Sequence, residues 1–267
     1  MKKRILITGA TDGIGLETAK MILESGHDLI IHGRNLSKSD KIKTSLFELF
    51  PNAIIDTCTA DLSDLKSVRT LAENILDEYD HLDVLINNAG VFKVDNPTTS
   101  ANLDIRFVVN CLAPYMLTQK LSELLKGNGR IINVSSAAQS KVNLQALRGL
   151  ESLTDMAAYS QSKLALTMWS KYLAEQQKLE GLVYLSVNPG SLLGSKMVKE
   201  GFGVNGGDLK IGAEILTKMA LAEEFSKCSG QYFDNDSGHF LIPHNDIHNE
   251  AILTGLIDTL DELCQIN

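Results

Sequence analysis

Short apolar runs alternate along this chain with longer stretches in which apolar residues recur at helical spacing. Residues 5–7, 28–32, 53–59, 83–86, 130–134 and 182–187 read as buried strands, and 231–233 as a short further one. Helices are predicted over 14–25, 37–50, 64–79, 105–125, 157–177 and 248–264. Gly26 ends the first and Pro51 stops the second. The third opens on an Asp64 N-cap and carries Leu65, Val68, Leu71, Ala72, Ile75 and Leu76 on one stripe. The helix over 105–125 has Pro114 inside it.

Strands of about five apolar residues separated by helices argue for an α/β architecture. The expected form is a doubly wound parallel sheet of about seven strands, with helices on both faces and right-handed crossovers. No repeat, low-complexity tract or linker divides the chain, so a single domain over 1–267 is expected. The stretches 141–155 and 195–208 lack periodicity. Loops of that length often line ligand sites. Their Val142, Leu144, Leu147, Leu150, Leu153, Met197, Val198 and Phe202 are candidates for an apolar pocket wall.

Composition narrows the partners. The formal net charge is -8, which argues against nucleic acid, because phosphate backbones call for a basic face. The four cysteines, Cys58, Cys111, Cys228 and Cys264, show no CxxC spacing, so neither a disulfide framework nor a zinc site is expected. Residues 1–8 are basic and then apolar, but the apolar run is too short for a signal peptide. No apolar stretch is long enough to span a bilayer. The expected compartment is the cytoplasm.

The first chemical signal is Thr8-Gly9-Ala10-Thr11-Asp12-Gly13-Ile14-Gly15, a TGxxxGxG turn between the first strand and the first helix. Glycines there permit a tight turn and let helix N-terminal amides approach a pyrophosphate. This is the position of the dinucleotide cradle in a Rossmann-type sheet, although the spacing differs from GxGxxG. The second strand ends His32-Gly33-Arg34-Asn35. An acid at the Gly33 position would favour NAD by holding the ribose hydroxyls. Its absence, with the Arg34 guanidinium next in line, favours NADP(H) over NAD(H). Asp12 in the turn pulls the other way.

The second signal is Tyr159 and Lys163, four apart in a predicted helix and so on one face. At about 4 Å and an effective dielectric of 20, an ammonium attracts a phenolate by about 4 kcal/mol. That is enough to draw the phenol well below its usual pKa, toward proton transfer near neutrality. A YxxxK pair alone is common and usually carries no function. Here it accompanies an apolar strand ending in Ser135-Ser136, at the sheet edge where ligands bind. A serine there can donate to a developing alkoxide.

With these elements in order, joined by Asp61-Leu62, Asn87-Asn88-Ala89-Gly90, Asn110 and Asn188-Pro189-Gly190, the chain resembles the short-chain dehydrogenase/reductase family from about residue 5 to 233. The resemblance implies a carbonyl/alcohol oxidoreductase that uses a nicotinamide cofactor. It implies Tyr159 as the general acid/base, Lys163 as the residue that holds the nicotinamide ribose and lowers the phenol pKa, and Ser136 as the substrate-polarising hydroxyl. Asn110 would support a water relay behind the lysine. Gly9, Thr11, Asp12, Gly13, Ile14 and Gly15 would form the phosphate turn, and Asp61 with Leu62 the adenine edge. Asn88, Ala89 and Gly90 would sit beside the adenosine ribose, and Pro189, Gly190 and Leu192 beside the nicotinamide. The family's helices equivalent to 105–125 and 157–177 commonly form a homodimer or homotetramer interface, while longer-loop relatives can be monomeric.

Two positions depart from the family pattern. Ser136 and Tyr159 are 23 residues apart, longer than the family's shortest form and similar to its retinol-dehydrogenase-like and protochlorophyllide-reductase-like branches. The threonine often found after Pro-Gly is replaced by Gly194, with Ser195 next in line. His239, His244 and His248, with Asp234, Asp236 and Asp246, fit no metal-ligand spacing and read as a polar loop at the crevice mouth. Cys111, Met168 and Trp169 read as packing. Two other classes of protein share parts of this pattern. A non-catalytic NADP(H)-binding redox sensor could share this fold, but such a protein could lose Tyr159, Lys163 or Ser136. A sugar-nucleotide epimerase of the related extended group is disfavoured by the turn spacing and the short tail after Phe233.

Overall fold

The computed structural model describes residues 1–125, 127–176 and 181–266, leaving aside the side chain of Phe202. The end of the predicted helix at 177 lies outside the described residues. One sheet runs through the molecule in the order β3-β2-β1-β4-β5-β6-β7-β8. Its strands are β1 (Arg4–Ile7), β2 (Asp28–Gly33), β3 (Ile55–Thr59), β4 (Val84–Asn87), β5 (Arg130–Val134), β6 (Val183–Asn188), β7 (Gln231–Asp234) and β8 (His239–Leu241). The first seven pair in parallel, as the continuous apolar runs require. β8 is a short antiparallel edge strand that the sequence pattern did not show. The strand order reverses between β1 and β4. A crevice opens there beyond the strands' C-terminal ends, the usual ligand position in such a sheet.

The two faces carry separate cores. On one, α1 (Gly13–Glu24), α2 (Leu36–Leu49) and α9 (Leu209–Leu221) cover Ile5, Ile7, Ile31, Ile86 and Ile132. α9 was not predicted. Its Ala213, Leu216, Met219 and Ala220 pack on the sheet and α1, but it follows directly on the 195–208 stretch and has no strong start signal beyond its Asp208 cap. The other face holds α3 (Leu65–Glu78), α5 (Ala113–Leu121), α7 (Asp155–Gln176) and α10 (Glu250–Cys264).

The predicted helix over 105–125 is broken into four pieces. A turn of α4 (Ile105–Phe107) leads into a π-helical segment, Val108–Leu112, then α5, then a 3₁₀ turn, Ser122–Leu125. Pro114 has no N–H for the carbonyl four residues back, and its ring would press against it. The widened turn just before it relieves that conflict and puts Asn110 at its centre.

The 141–155 stretch contains a short helix, α6 (Leu144–Leu147), and does not form a pocket wall as expected. Val142 and Leu147 are buried in the core beneath α10, Leu144 and Leu153 pack against that core, and Leu150 is exposed. Arg148 donates to Thr259 and Glu262 of α10. The segment therefore fastens α10 over α7. α10 in turn lies across the outer sides of the π segment and α7. Tyr115 Oη donates to Asp261 at 2.6 Å, and the Tyr115 and Trp169 rings meet edge-on at 5.5 Å. The chain's own C-terminal helix thus covers part of the outer faces of these helices.

Removing methylenes from this layer should be costly. Leu256→Ala, at a side chain with no exposure, is expected to lower the unfolding free energy by about 2–5 kcal/mol. Ile211→Ala, on the exposed side of α9, should cost less than about 0.5 kcal/mol. Urea unfolding of the two variants measures the contrast, and equal losses would contradict the core assignment.

Candidate active site

The crevice at the switch point holds a cavity of about 680 Å³, within the usual range for small-molecule and cofactor sites. Every predicted cofactor residue lines it: Gly9, Thr11, Asp12, Gly13, Ile14, Gly15, Arg34, Asp61, Leu62, Asn88, Ala89, Gly90, Pro189, Gly190 and Leu192. So do Ser136, Tyr159 and Lys163, brought from β5 and α7. Asn110 stands behind the wall.

The glycine turn is built by close approach. Gly9 has φ +66°, and a Cβ on it would lie 2.9 Å from the Ala89 backbone. A Cβ on Gly15 would lie 2.5 Å from the Gly9 carbonyl oxygen. Thr8 Oγ1 accepts from the amides of Asn88 and Ala89, and Asn88 Nδ2 donates to the carbonyls of Thr8 and Gly9. The Asn88 side chain thus locks the turn. Asp12 caps α1 by accepting from the Gly13 amide and takes an ion pair from Lys38 at 2.9 Å. That pairing holds its carboxyl below the usual range and offsets its charge beside Arg34. At Gly33, a Cβ would lie 2.6 Å from Thr11 Cγ2 and 2.5 Å from Ser39 Oγ. Packing therefore excludes an acid here as well as charge.

One residue of the turn escaped sequence reading. His32 is buried at the end of β2. Its Nδ1 accepts from the Gly9 amide at 3.3 Å, so Nε2 is the protonated nitrogen and donates to the Ala60 carbonyl at 3.1 Å. Burial pushes it down to about 4. A histidine inside a buried strand was the available signal.

The catalytic set sits in a dry pocket. Lys163 is buried and its Nζ donates to the Val134 carbonyl at 2.7 Å. Nζ lies 5.8 Å from the centre of the Tyr159 ring. Desolvation draws the lysine down to about 8. The same desolvation pushes the Tyr159 phenol up, and a hydrogen bond with Ser136 draws it part of the way back. The expected lowering of the phenol by the lysine charge is therefore not found in this structure. That expectation weighed attraction alone, whereas burial disfavours both charged forms. The Ser136 contact also shows that the 23-residue gap leaves serine and tyrosine together, because the extra chain runs outward to α10.

Asn110, in the π segment, accepts from the Val91 amide at 2.8 Å and donates to the Val91 carbonyl and Ser162 Oγ, each at 3.0 Å. It thereby ties the loop after β4 to the tyrosine helix. Gly90 leaves room for this convergence: a Cβ there would lie 3.3 Å from Asn110 Oδ1 and 3.5 Å from Lys163 Nζ. Gly194 has no such freedom, because a Cβ would lie 2.8 Å from the Gly207 carbonyl oxygen, so a threonine does not fit. Ser195 caps α8 (Lys196–Phe202) instead. Leu192, at the cavity mouth, has φ +51°, a left-handed conformation that L side chains rarely adopt.

Other polar residues hold the frame. Asn188 donates to Asp234 and Asp236, and Asp236 also accepts from the Ser191 amide. The acidic residues of the C-terminal loop thus brace the Pro189–Gly190 turn. Of the 195–208 stretch, Met197 and Val198 of α8 line the cavity, together with Lys196. Phe92, Ile105, Val109, Ala137 and Ala138 add apolar wall that no motif announced.

The comparisons with known proteins supply the class to which this fold belongs. A family model described as short chain dehydrogenase matches residues 3–202, and the chain belongs to that family of oxidoreductases. Human retinol dehydrogenase 13 is 31% identical over 255 residues, covering 87% of this chain and 76% of its own. Mouse retinol dehydrogenase 12 is 32% identical over 246 residues, covering 87% and 78%. Among solved structures, an uncharacterized protein from Mycobacterium paratuberculosis superposes with a TM-score of 0.81 at 24% identity, covering 98% of this chain and 93% of that one. YwfH, an NADPH dependent reductase involved in bacilysin biosynthesis, gives 0.71 at 25% identity, covering 89% and 98%.

The depressed His32 predicts an acid-side weakness. Its folded value, about 4, lies below its ordinary value of 6.5, so the unfolded chain binds the proton first. Stability is complete above about pH 6.5 and declines as pH falls toward 4. Between pH 7 and 5 this group alone should remove about 2 kcal/mol. Urea unfolding should show that portion of the pH dependence vanish in His32→Gln, and an unchanged dependence would refute the assignment.

Proposed function

We propose that this chain, acting as one unit over 1–267, is an NADP(H)-dependent oxidoreductase that interconverts a carbonyl and an alcohol, with Tyr159 as general acid/base. The observation that carries the reading is the meeting of Tyr159, Ser136 and Lys163 in the cavity that the glycine turn opens. The cradle suits the cofactor: Gly9, Gly13, Gly15 and Gly33 present side-chain-free backbone along the cavity, and Arg34 lines the end where a 2′-phosphate would lie. When bound, NADPH supplies the hydride.

The protein's part is position and proton control. The Tyr159 phenol is kept neutral at physiological pH by burial and so holds a proton at Oη for the substrate oxygen. Ser136 Oγ shares that oxygen as a second hydrogen-bond partner. Lys163, anchored on Val134, keeps a charge beside the phenol below about pH 8 and would hold the nicotinamide ribose. Asn110 fixes the tyrosine helix against the β4 loop. The apolar wall favours a lipophilic carbonyl compound. The names of the relatives, retinol dehydrogenases and an NADPH dependent reductase, support both parts of this reading.

Absorbance assays of NADPH and then NADH oxidation against a mixed panel of aldehydes and ketones provide the test. Turnover is expected with NADPH and should disappear in Tyr159→Phe while cofactor binding persists. Tight NADPH binding with no turnover across the panel would favour a non-catalytic sensor. Arg34→Ala should raise the NADPH dissociation constant by about tenfold to a hundredfold, the scale of a charged hydrogen bond, and leave NADH nearly unchanged. Equal effects on the two cofactors would remove Arg34 from phosphate recognition.

A further inference from the structure

Phe92 lies on the loop after β4, two residues beyond Gly90, and its side chain is only 4% exposed. It nevertheless lines the cavity. On one side its ring meets the Tyr159 ring, with centroids 5.1 Å apart and planes tilted by 58°. On the other side it presses on α8 at Gly201. A Cβ on Gly201 would lie 2.5 Å from Phe92 Cδ1 and 2.8 Å from Cε1. Glycine inside a helix is unfavourable without a reason of this kind. The ring is therefore wedged between the tyrosine and the helix that carries Met197 and Val198 over the cavity.

We infer that Phe92 is a specificity-determining residue that limits the width of the carbonyl compound admitted beside Tyr159, with Gly201 as the seat that receives its ring. The inference rests on the function proposed above. A phenyl ring is rigid and cannot thin itself to admit a second bulky group. It offers no hydrogen bond to a substrate, so its effect is steric. The site accordingly favours slender apolar aldehydes and ketones, such as straight-chain ones, over those with two bulky groups on the carbonyl carbon. Gly201 fixes the setting: a methyl group there drives the ring toward Tyr159 and narrows the entrance, whereas shortening Phe92 opens it.

The experiment compares kcat/KM for octanal, acetophenone and benzophenone with NADPH, in the wild type, Phe92→Ala, Phe92→Leu and Gly201→Ala. Wild type should prefer octanal to benzophenone. Phe92→Ala should shift the benzophenone-to-octanal ratio upward by about tenfold or more, the scale of a hydrophobic pocket contact. Phe92→Leu should shift it less, and Gly201→Ala should shift it downward. The NADPH dissociation constant, read by fluorescence in parallel, should change by less than about threefold, a difference well under one contact's worth. Parallel loss on all substrates with unchanged ratios would overturn the inference and leave Phe92 as packing beneath Tyr159. Should Phe92→Ala fail to fold, the opposed shifts of the Leu and Gly201 variants decide the matter. A wild type that binds NADPH but turns over none of the three compounds would overturn the functional reading itself, and a change in the ratio alone cannot do that.

Discussion

The C-terminal ends of β1, β2 and β4 come so close together that side chains are excluded between them, and the rest of the site depends on that approach. Gly9 faces the Ala89 backbone, Gly15 faces the Gly9 carbonyl, and Gly33 faces Thr11. Hydrogen bonds then replace the missing packing. Thr8 and Asn88 join β1 to the β4 loop, and His32 joins β2 to the glycine turn and to the residue after β3. Each donor and acceptor is buried or half-buried, so leaving one unpaired would be expensive. The turn is thus held in a connected hydrogen-bonded frame, which is the condition for effective electrostatic and geometric positioning.

Desolvation sets the chemistry within that frame. The pocket that brings Tyr159 and Lys163 together also strips water from both. The lysine falls to about 8 and the phenol rises, so two groups of nearly equal pKa in water are driven apart, each toward its neutral form. Ser136 is the partner that moderates the phenol. The lysine charge is spent first on the Val134 carbonyl, which holds the side chain in place at the end of β5.

The C-terminal helix contributes from a distance. α10 covers the π segment and α7, and the 141–155 segment latches it through Arg148, with Gly255 packed on Leu144. α7 is consequently buried on most of its circumference, which explains its weak amphipathic pattern. A helix held on most sides presents Tyr159, Ser162 and Lys163 with little slack.

The sequence by itself determined most of the elements and the motif residues of the crevice. Apolar runs and helical stripes are local patterns, and the glycine turn, Ser135-Ser136 and the Tyr159–Lys163 spacing carry their order in the chain, so fold, family and the motif residues that line the cavity were legible. What only the tertiary structure decided depends on residues distant in sequence. β8 and α9 are stabilised by neighbours across the sheet, and their own patterns are too short or too weakly bounded to stand alone. The direction of the Tyr159 shift required knowing how dry the pocket is, and spacing on one helix says nothing of that. The destination of the 141–155 stretch, the role of His32 and the wedge of Phe92 against Gly201 all follow from contacts between segments tens of residues apart. Periodicity records which residues are buried, and the packed structure alone records against what.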